Sequence, residues 1–146
     1  MGARKKLAAE KRKEVMKSTA IARNVAVPTS PRKTRVVSDL IRGREVMQAM
    51  NILRYNAKAP AARLEKLLQS AINNWETKNG EKIDEGVVYV KSVSVDSARM
   101  LKRLRPAPQG RGYRVRKRSN HVTIILDRIA NRAPKKNKAE KAETTK

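Results

Sequence analysis

Apolar residues recur at helical spacing in three stretches between residues 30 and 80, and at strand spacing after residue 86. Ser30-Pro31 reads as an N-cap followed by the first helical residue. Val36, Val37, Leu40 and Ile41 then form an i, i+4 stripe that Gly43 closes. Arg32, Lys33 and Arg35 lie off that stripe. A second helix is expected over 45–55, with Val46, Met47, Met50 and Leu53 inward and Asn56 and Pro60 as its stop. The third begins near Pro60, where Ala61, Leu64, Leu67, Leu68, Ala71, Ile72 and Trp75 keep one face apolar until Asn79-Gly80. Trp75 on that stripe is a core residue.

Residues 87–95 are β-branched and short of helix formers, which predicts a strand. Val88 and Val90 share one parity and Val93 and Val95 the other, so the strand needs a bulge near Lys91-Ser92 or burial on both faces. A second strand alternates Val122, Ile124 and Leu126 with His121, Thr123 and Ile125. Between them Pro106-Ala107-Pro108-Gln109-Gly110 is turn chemistry, and the two strands are equidistant from it, so they pair antiparallel. The twelve or so residues from Val95 to the turn span about 40 Å at the rise of a strand. Beyond Val95 the half-buried pattern stops and basic residues occupy both faces. Such a ribbon is not stable alone in water and calls for a polyanionic surrounding.

Charge sharpens this picture. The chain has 146 residues with 36 Lys+Arg against 13 Asp+Glu, a formal net charge of +23, and no Phe or Cys. Residues 59–86 are nearly neutral, whereas 87–128 carry a net +9, and 99–118 hold nine Lys/Arg in twenty residues without one acid. An ordinary solvated face mixes both signs; this excess requires neutralisation by a polyanion, nucleic acid or an anionic membrane. Residues 1–18 form a basic extension, either a solvated helix or a disordered arm. Residues 129–146 form a Lys-rich tail of low complexity, in which 134–138 reads as part of a basic tail rather than a localisation signal. The domain proper is 19–128, including an extended hairpin over 95–122.

Catalytic chemistry finds little support. The absence of Cys removes disulfides, thiol catalysis and Cys-based zinc sites. His121 is the single histidine and has no metal-ligand set around it; its reading is structural or nucleic-acid-contacting. Asp84, Glu85, Asp96 and Asp127 read as salt-bridge partners for the basic excess. Gly110-Arg111-Gly112 is followed by no helix, so it is no phosphate-cradling loop. The longest strongly apolar run, Val87-Val88-Tyr89-Val90, is too short to span a membrane, and the basic N-terminus lacks the apolar segment of a secretory signal. We therefore expect a soluble, cytoplasmic protein without enzymatic activity, metal, cofactor or small-molecule substrate.

Nucleic acid is the expected partner. Arg outnumbers Lys in the ribbon, with Arg99, Arg103, Arg105, Arg111, Arg114, Arg116 and Arg118 against Lys102 and Lys117. The guanidinium fork suits phosphates and stacks on bases, and Tyr113 adds one stacking face. Aromatics at 3% are too few for a base-stacking sheet, so recognition runs through phosphates, 2′-hydroxyls and shape. The alternative is an architectural DNA-binding protein with basic β-arms of the HU kind. Its obligate dimer needs more core mass, and its cations gather on one saddle.

Three blocks carry a resemblance. Ser30-Pro31-Arg32-Lys33-Thr34-Arg35-Val36-Val37 with Leu40-Ile41-Arg42-Gly43, then Leu68-Gln69-Ser70-Ala71-Ile72-Asn73-Asn74, then Lys102-Arg103, Pro106, Gly110-Arg111 and Lys117-Arg118-Ser119-Asn120-His121-Val122-Thr123-Ile124 follow in order. Together they resemble the large-subunit ribosomal protein L-twenty-two family, bacterial type, over about residues 19–128. Ala107-Pro108 replaces the basic and small residues usual at that family's turn. The resemblance implies an α+β fold in which three helices pack on a small three-stranded antiparallel sheet, with residues 20–27 as the third strand and a long protruding β-hairpin. It implies a structural constituent of the large ribosomal subunit that binds its RNA, assists assembly, and lines the polypeptide exit tunnel with the hairpin. Its partners would be large-subunit ribosomal RNA, neighbouring ribosomal proteins and the nascent polypeptide at the hairpin tip. RNA contact is then expected at Arg32, Lys33, Arg35, Arg42, the nine ribbon cations, Tyr113 and His121.

Overall fold

A strand whose apolar parity flips half-way has to bulge or be buried twice, and this one bulges. In the computed structural model, which describes residues 3–83 and 87–131, strand β2 (Val88–Ser97) pairs antiparallel with β5 (Asn120–Arg128), and the register shifts between Val90 and Ser92. The extra residue puts Val88, Val90, Val93 and Val95 into one core. The bulge residue Lys91 lays its ammonium 2.7 Å from the Asp127 carboxylate, whose hydrogen bond raises the lysine pKa. Strand β1 (Ala20–Val27) pairs with the other edge of β5, giving the order β1-β5-β2. Along β5 Asn120, Val122, Ile124 and Leu126 are buried and the alternate residues half-buried, so helices cover one face.

The three expected helices are α2 (Pro31–Ile41), α3 (Val46–Arg54) and α4 (Pro60–Asn79). Pro opens α2 and α4, while Gly43 and Gly80 end α2 and α4 in the left-handed conformation (φ 69° and 70°) that glycine adopts without strain. Helix α4 lies on β1 and β5, α2 on β2, and α3 on α4. Trp75, 3% exposed, closes one end of the core, with the Arg128 guanidinium 5.7 Å from its ring centroid. A fourth helix, α1 (Ala3–Ser18), resolves the open reading of the basic extension: its Ala, Glu, Lys and Arg are strong helix formers. The tail from 132 onward and the expected ion-pair residues Asp84 and Glu85 lie outside the described residues.

Helix α2 corrects the apolar-stripe reading. Val36 and Leu40 are 48% and 44% exposed, and Pro31, Thr34, Val37, Ser38 and Ile41 face the sheet instead. Thr34 and Ser38 tolerate burial because their hydroxyls donate back to Ser30 O and Thr34 O, 3.1 and 3.0 Å. Likewise Met47 is exposed, and Val46, Ala49 and Leu53 form the buried line of α3.

The outer edge of β2 is closed without another strand. Gly43 N–H donates to Val90 O, and Val90 N–H donates to Arg44 O, each at 2.9 Å. Farther along, Arg42 donates to Val93 O at 3.0 Å, and Arg35 donates to Val95 O through two nitrogens at 2.9 and 3.2 Å. On the opposite side the fully buried Asn120 amide donates to Thr29 O, Thr29 Oγ1 and Thr34 Oγ1 at 2.8–2.9 Å, tying the start of β5 to the entry of α2.

Two expectations follow for stability. Trp75→Ala deletes a large buried side chain and should cost about 3–5 kcal/mol in urea unfolding; an unchanged midpoint would place the ring outside the core. Asn120→Ala takes the side-chain donor from the Thr29 carbonyl, leaves the Thr34 hydroxyl only its bonds to Ser30 O and Thr29 Oγ1, and should cost about 1–3 kcal/mol, read from the same denaturation curves.

Candidate nucleic-acid interface

Past Ser97↔Asn120 the chain at the ends of β2 and β5 leaves the body. Ala98 N–H donates to Ser119 O at 3.0 Å, and the chain continues as a separate two-stranded sheet of β3 (Leu101–Ala107) and β4 (Arg111–Lys117). Register runs unbroken from Leu101↔Lys117 to Ala107↔Arg111, so the turn is Pro108-Gln109-Gly110. Pro106 and Ala107, expected in the turn, belong to β3. Gln109 and Gly110 both take positive φ, 63° and 68°, which glycine adopts without strain at the second of these positions.

Alternation sorts the hairpin side chains by face. One face presents Arg103, Arg105, Arg111 and Lys117 with Leu101, Tyr113 and Val115; the other presents Lys102, Arg114 and Arg116 with Leu104 and Pro106. All these residues are exposed, Tyr113 by 64% and Leu104 by 75%. Lys102 sits directly across from Arg116, a like-charge pair that destabilises an isolated ladder. Cations therefore line both faces, and no acid is available on the hairpin itself to pair with them. The ion pairs Arg42–Asp39, Lys91–Asp127 and Arg128–Glu81 lie on the body. An open trough of about 730 Å³ on the ribbon has Met100, Leu104 and Val115 between Lys102, Arg103, Arg114 and Arg116. Its lining mixes apolar and cationic side chains drawn from both faces of the ribbon, a combination that suits sugar–phosphate backbone.

The hairpin base meets the body at a second groove, about 460 Å³, where Lys33 faces Arg116, Lys117 and Arg118 across Pro28, Thr29, Ser30 and Pro60. Residues some eighty positions apart in sequence thus converge beside the start of α2, whose free N–H groups add positive potential. Arg32 lies exposed on the same helix, and Arg99 is exposed at the hairpin entry.

Other expected contact residues are committed inside the protein. Arg35 and Arg42 send their guanidinium donors to the β2 edge, as above, although both remain partly exposed. His121 Nδ1 accepts the Ala26 N–H at 3.0 Å, where β1 departs from its register between Asn24 and Val27 and Ala26 takes φ 55°. Of the acids expected to form ion pairs, Asp127 pairs with Lys91, whereas Asp96 lies opposite His121 in the ladder and joins none of the ion pairs among the described residues. The Asn120 clamp, which holds the hairpin base against α2, was missed; its signal was a single amide preceding a β-branched run. Among the described residues no group of three or more His, Asp or Glu is placed to hold a metal ion, and no helix is long and apolar enough to cross a membrane.

Comparison with known proteins follows the same outline. The family model for ribosomal protein L22p/L17e matches residues 20–127, from the first residue of β1 to the last but one of β5. The large ribosomal subunit protein uL22 of Bacteroides fragilis is 57% identical over 131 residues, covering 90% of this chain and 96% of that protein. Those of Parabacteroides distasonis and Flavobacterium johnsoniae are each 58% identical, over 130 and 132 residues, covering 89% and 90% of this chain and 96% of either relative. The chain belongs to the ribosomal protein L22p/L17e family.

Proposed function

We propose that this protein is a structural constituent of the large subunit of the cytoplasmic ribosome, that it binds large-subunit ribosomal RNA and assists its assembly, and that it performs no catalytic step. The observation that carries this reading is the fully exposed hairpin with cations on both faces and none of its own acids. A ribbon charged on one face would lie on a surface, whereas this one suits insertion between two polyanionic walls. The groove of Lys33 with Arg116, Lys117 and Arg118 then seats phosphate at the hairpin base. Arg99, Arg32 and the ribbon cations add contacts, and Tyr113 offers its exposed ring to a base. Arg35, Arg42 and His121 act first on the fold; RNA contact by them is through whatever donor capacity remains.

The finer proposal is that the hairpin tip lines the polypeptide exit tunnel and faces the nascent chain, with neighbouring ribosomal proteins against the body. Copurification with sequencing of the bound nucleic acid tests the coarser one. A single large structured RNA is expected; duplex DNA without sequence preference would favour the architectural DNA-binding reading instead.

Binding of the purified chain to that RNA should weaken steeply with salt. Arg103→Ala should lower the log–log slope by about one unit, and an unchanged slope would mean that this face of the ribbon meets no phosphate. Excising residues 103–115 and joining Lys102 to Arg116 through Asn-Gly keeps the observed register of that pair. Because the removed side chains are nearly all exposed, the unfolding midpoint should barely move and RNA binding should persist. Ribosomes carrying this variant should assemble but differ in nascent-chain passage or in sensitivity to drugs bound within the tunnel. Unaltered passage and drug response would remove the tunnel placement.

A further inference from the structure

Helix α1 has no apolar stripe and no core to join. From Ala3 to Lys17 every residue is exposed except the half-buried Ala8. Its exposed apolar residues Leu7, Val15 and Met16 fall on three different sides at 100° per residue. That arrangement offers no i, i+3, i+4 anchors for a protein groove and no apolar face for a membrane surface.

What the helix does present is charge in a repeated arrangement. Arg4-Lys5-Lys6 and Lys11-Arg12-Lys13 form two basic collars seven residues apart, about 10 Å along the axis. Glu10 and Glu14 mark one line of the helix, with Lys5 and Arg12 on the opposite side, so cations take most of the circumference. At its base the helix is tied to the body. Thr19 closes its last turn through N–H and Oγ1 to Val15 O, 3.0 and 2.6 Å, and Lys78 of α4 donates to Met16 O and Thr19 O, 3.2 and 2.6 Å. An ammonium at those carbonyls also complements the negative end of the helix.

The sheet register fixes where this arm leaves the body. Ala20 pairs with Leu126, whereas the hairpin departs at Ser97↔Asn120, six residues away along β5, or about 20 Å. The arm and the hairpin therefore attach to opposite ends of the same sheet. Likeness to the relatives also enters this arm, since matches of 131 and 132 residues are longer than the stretch from Ala20 to Lys146.

We propose that α1 is a second RNA-binding arm, gripping backbone phosphates of a folded RNA segment other than the one the hairpin enters. Charge complementarity selects a polyphosphate, and the choice of RNA rests on the ribosomal reading above. The protein then ties two RNA segments together across its sheet.

The test uses the full chain and large-subunit ribosomal RNA transcribed in vitro, with backbone footprinting and a salt titration. In one variant Arg4, Lys5, Lys6, Lys11, Arg12 and Lys13 are all changed to Gln, a residue that keeps helix propensity. Two separate clusters of protected nucleotides are expected for the unaltered chain. The Gln variant should lose one cluster, keep the one that the 103–115 excision removes, and show a salt slope shallower by about 3–5 units. A charge-preserving variant, with each of these Lys changed to Arg and each Arg to Lys, should keep both clusters, which separates charge from any change in helix content. Protections and slope unaffected by the Gln changes would overturn the proposal, as would binding of α1 to anionic phosphatidylglycerol vesicles in preference to the RNA. An unaltered chain with the hairpin cluster alone would overturn the arm and leave the ribosomal reading standing. One that binds duplex DNA as well as this RNA and gives no discrete protections would overturn the ribosomal reading itself.

Discussion

A net charge of +23 on 146 residues sets the terms for everything else in this molecule. A compact body of that charge would repel itself, and the aliphatic core, which lacks Phe and has a single Trp, has little surplus to oppose it. The chain meets the constraint by segregation. The nearly neutral stretch 59–86 supplies α4, whose buried Ala61, Leu64, Leu68, Ala71 and Trp75 belong to the core. Sixteen of the 36 Lys and Arg stand on the exposed hairpin and the exposed N-terminal helix, outside the core. Fold stability and the proposed polyanion binding thus reside largely in different parts of the chain.

Arginine nevertheless serves both. Edge strands need cover, and β2 is covered by the 43–45 segment and by the guanidinium groups of Arg42 and Arg35 on Val93 O and Val95 O. The planar fork allows one side chain to meet a carbonyl with two nitrogens and still turn an edge to solvent. Such residues fix the line along which the sheet runs into the hairpin, and Asn120 fixes it from the other side. The hairpin is therefore aimed by buried and half-buried bonds at its base, not by anything along its exposed length.

The sequence shows most of this fold and less of its wiring. Helix limits were legible from Pro31, Gly43, Pro60 and Gly80, because the backbone preferences of proline and glycine are local, although Ser30 makes no side-chain capping bond. The bulge was legible from the parity of four valines, and the ribbon from charge on both parities. Val36, Leu40 and Met47 misled because an apolar residue need not be inside, whereas Thr34 and Ser38 can be inside once their hydroxyls find backbone oxygens. Within the candidate interface, composition located the cations but not their direction. Counting charge cannot separate Arg35, which donates to the Val95 carbonyl of the body's sheet, from Arg103, which stays exposed on the hairpin and donates to the adjacent Lys102 carbonyl. Nor can it bring Lys33 against Arg116–Arg118, a meeting made by the register of β2 on β5.

Placing exits at the two ends of one sheet has a mechanical consequence. β5 is the central strand, bonded to β1 on one side and β2 on the other, so a pull on the hairpin and a pull on α1 are both transmitted through its ladder. Load along strands is shared by many parallel hydrogen bonds, each worth little alone but forced to yield together. The bonds at each exit, Asn120 with Thr29 and Thr34 at one and Lys78 with Met16 O and Thr19 O at the other, keep the ladder from peeling bond by bond from its ends. A small core is adequate for such a part, because neutralisation of its cations by the surrounding polyanion adds to its stability in place. The same neutralisation makes the fold and the complex interdependent: the body aims the arms, and what the arms hold relieves the repulsion that the body tolerates alone.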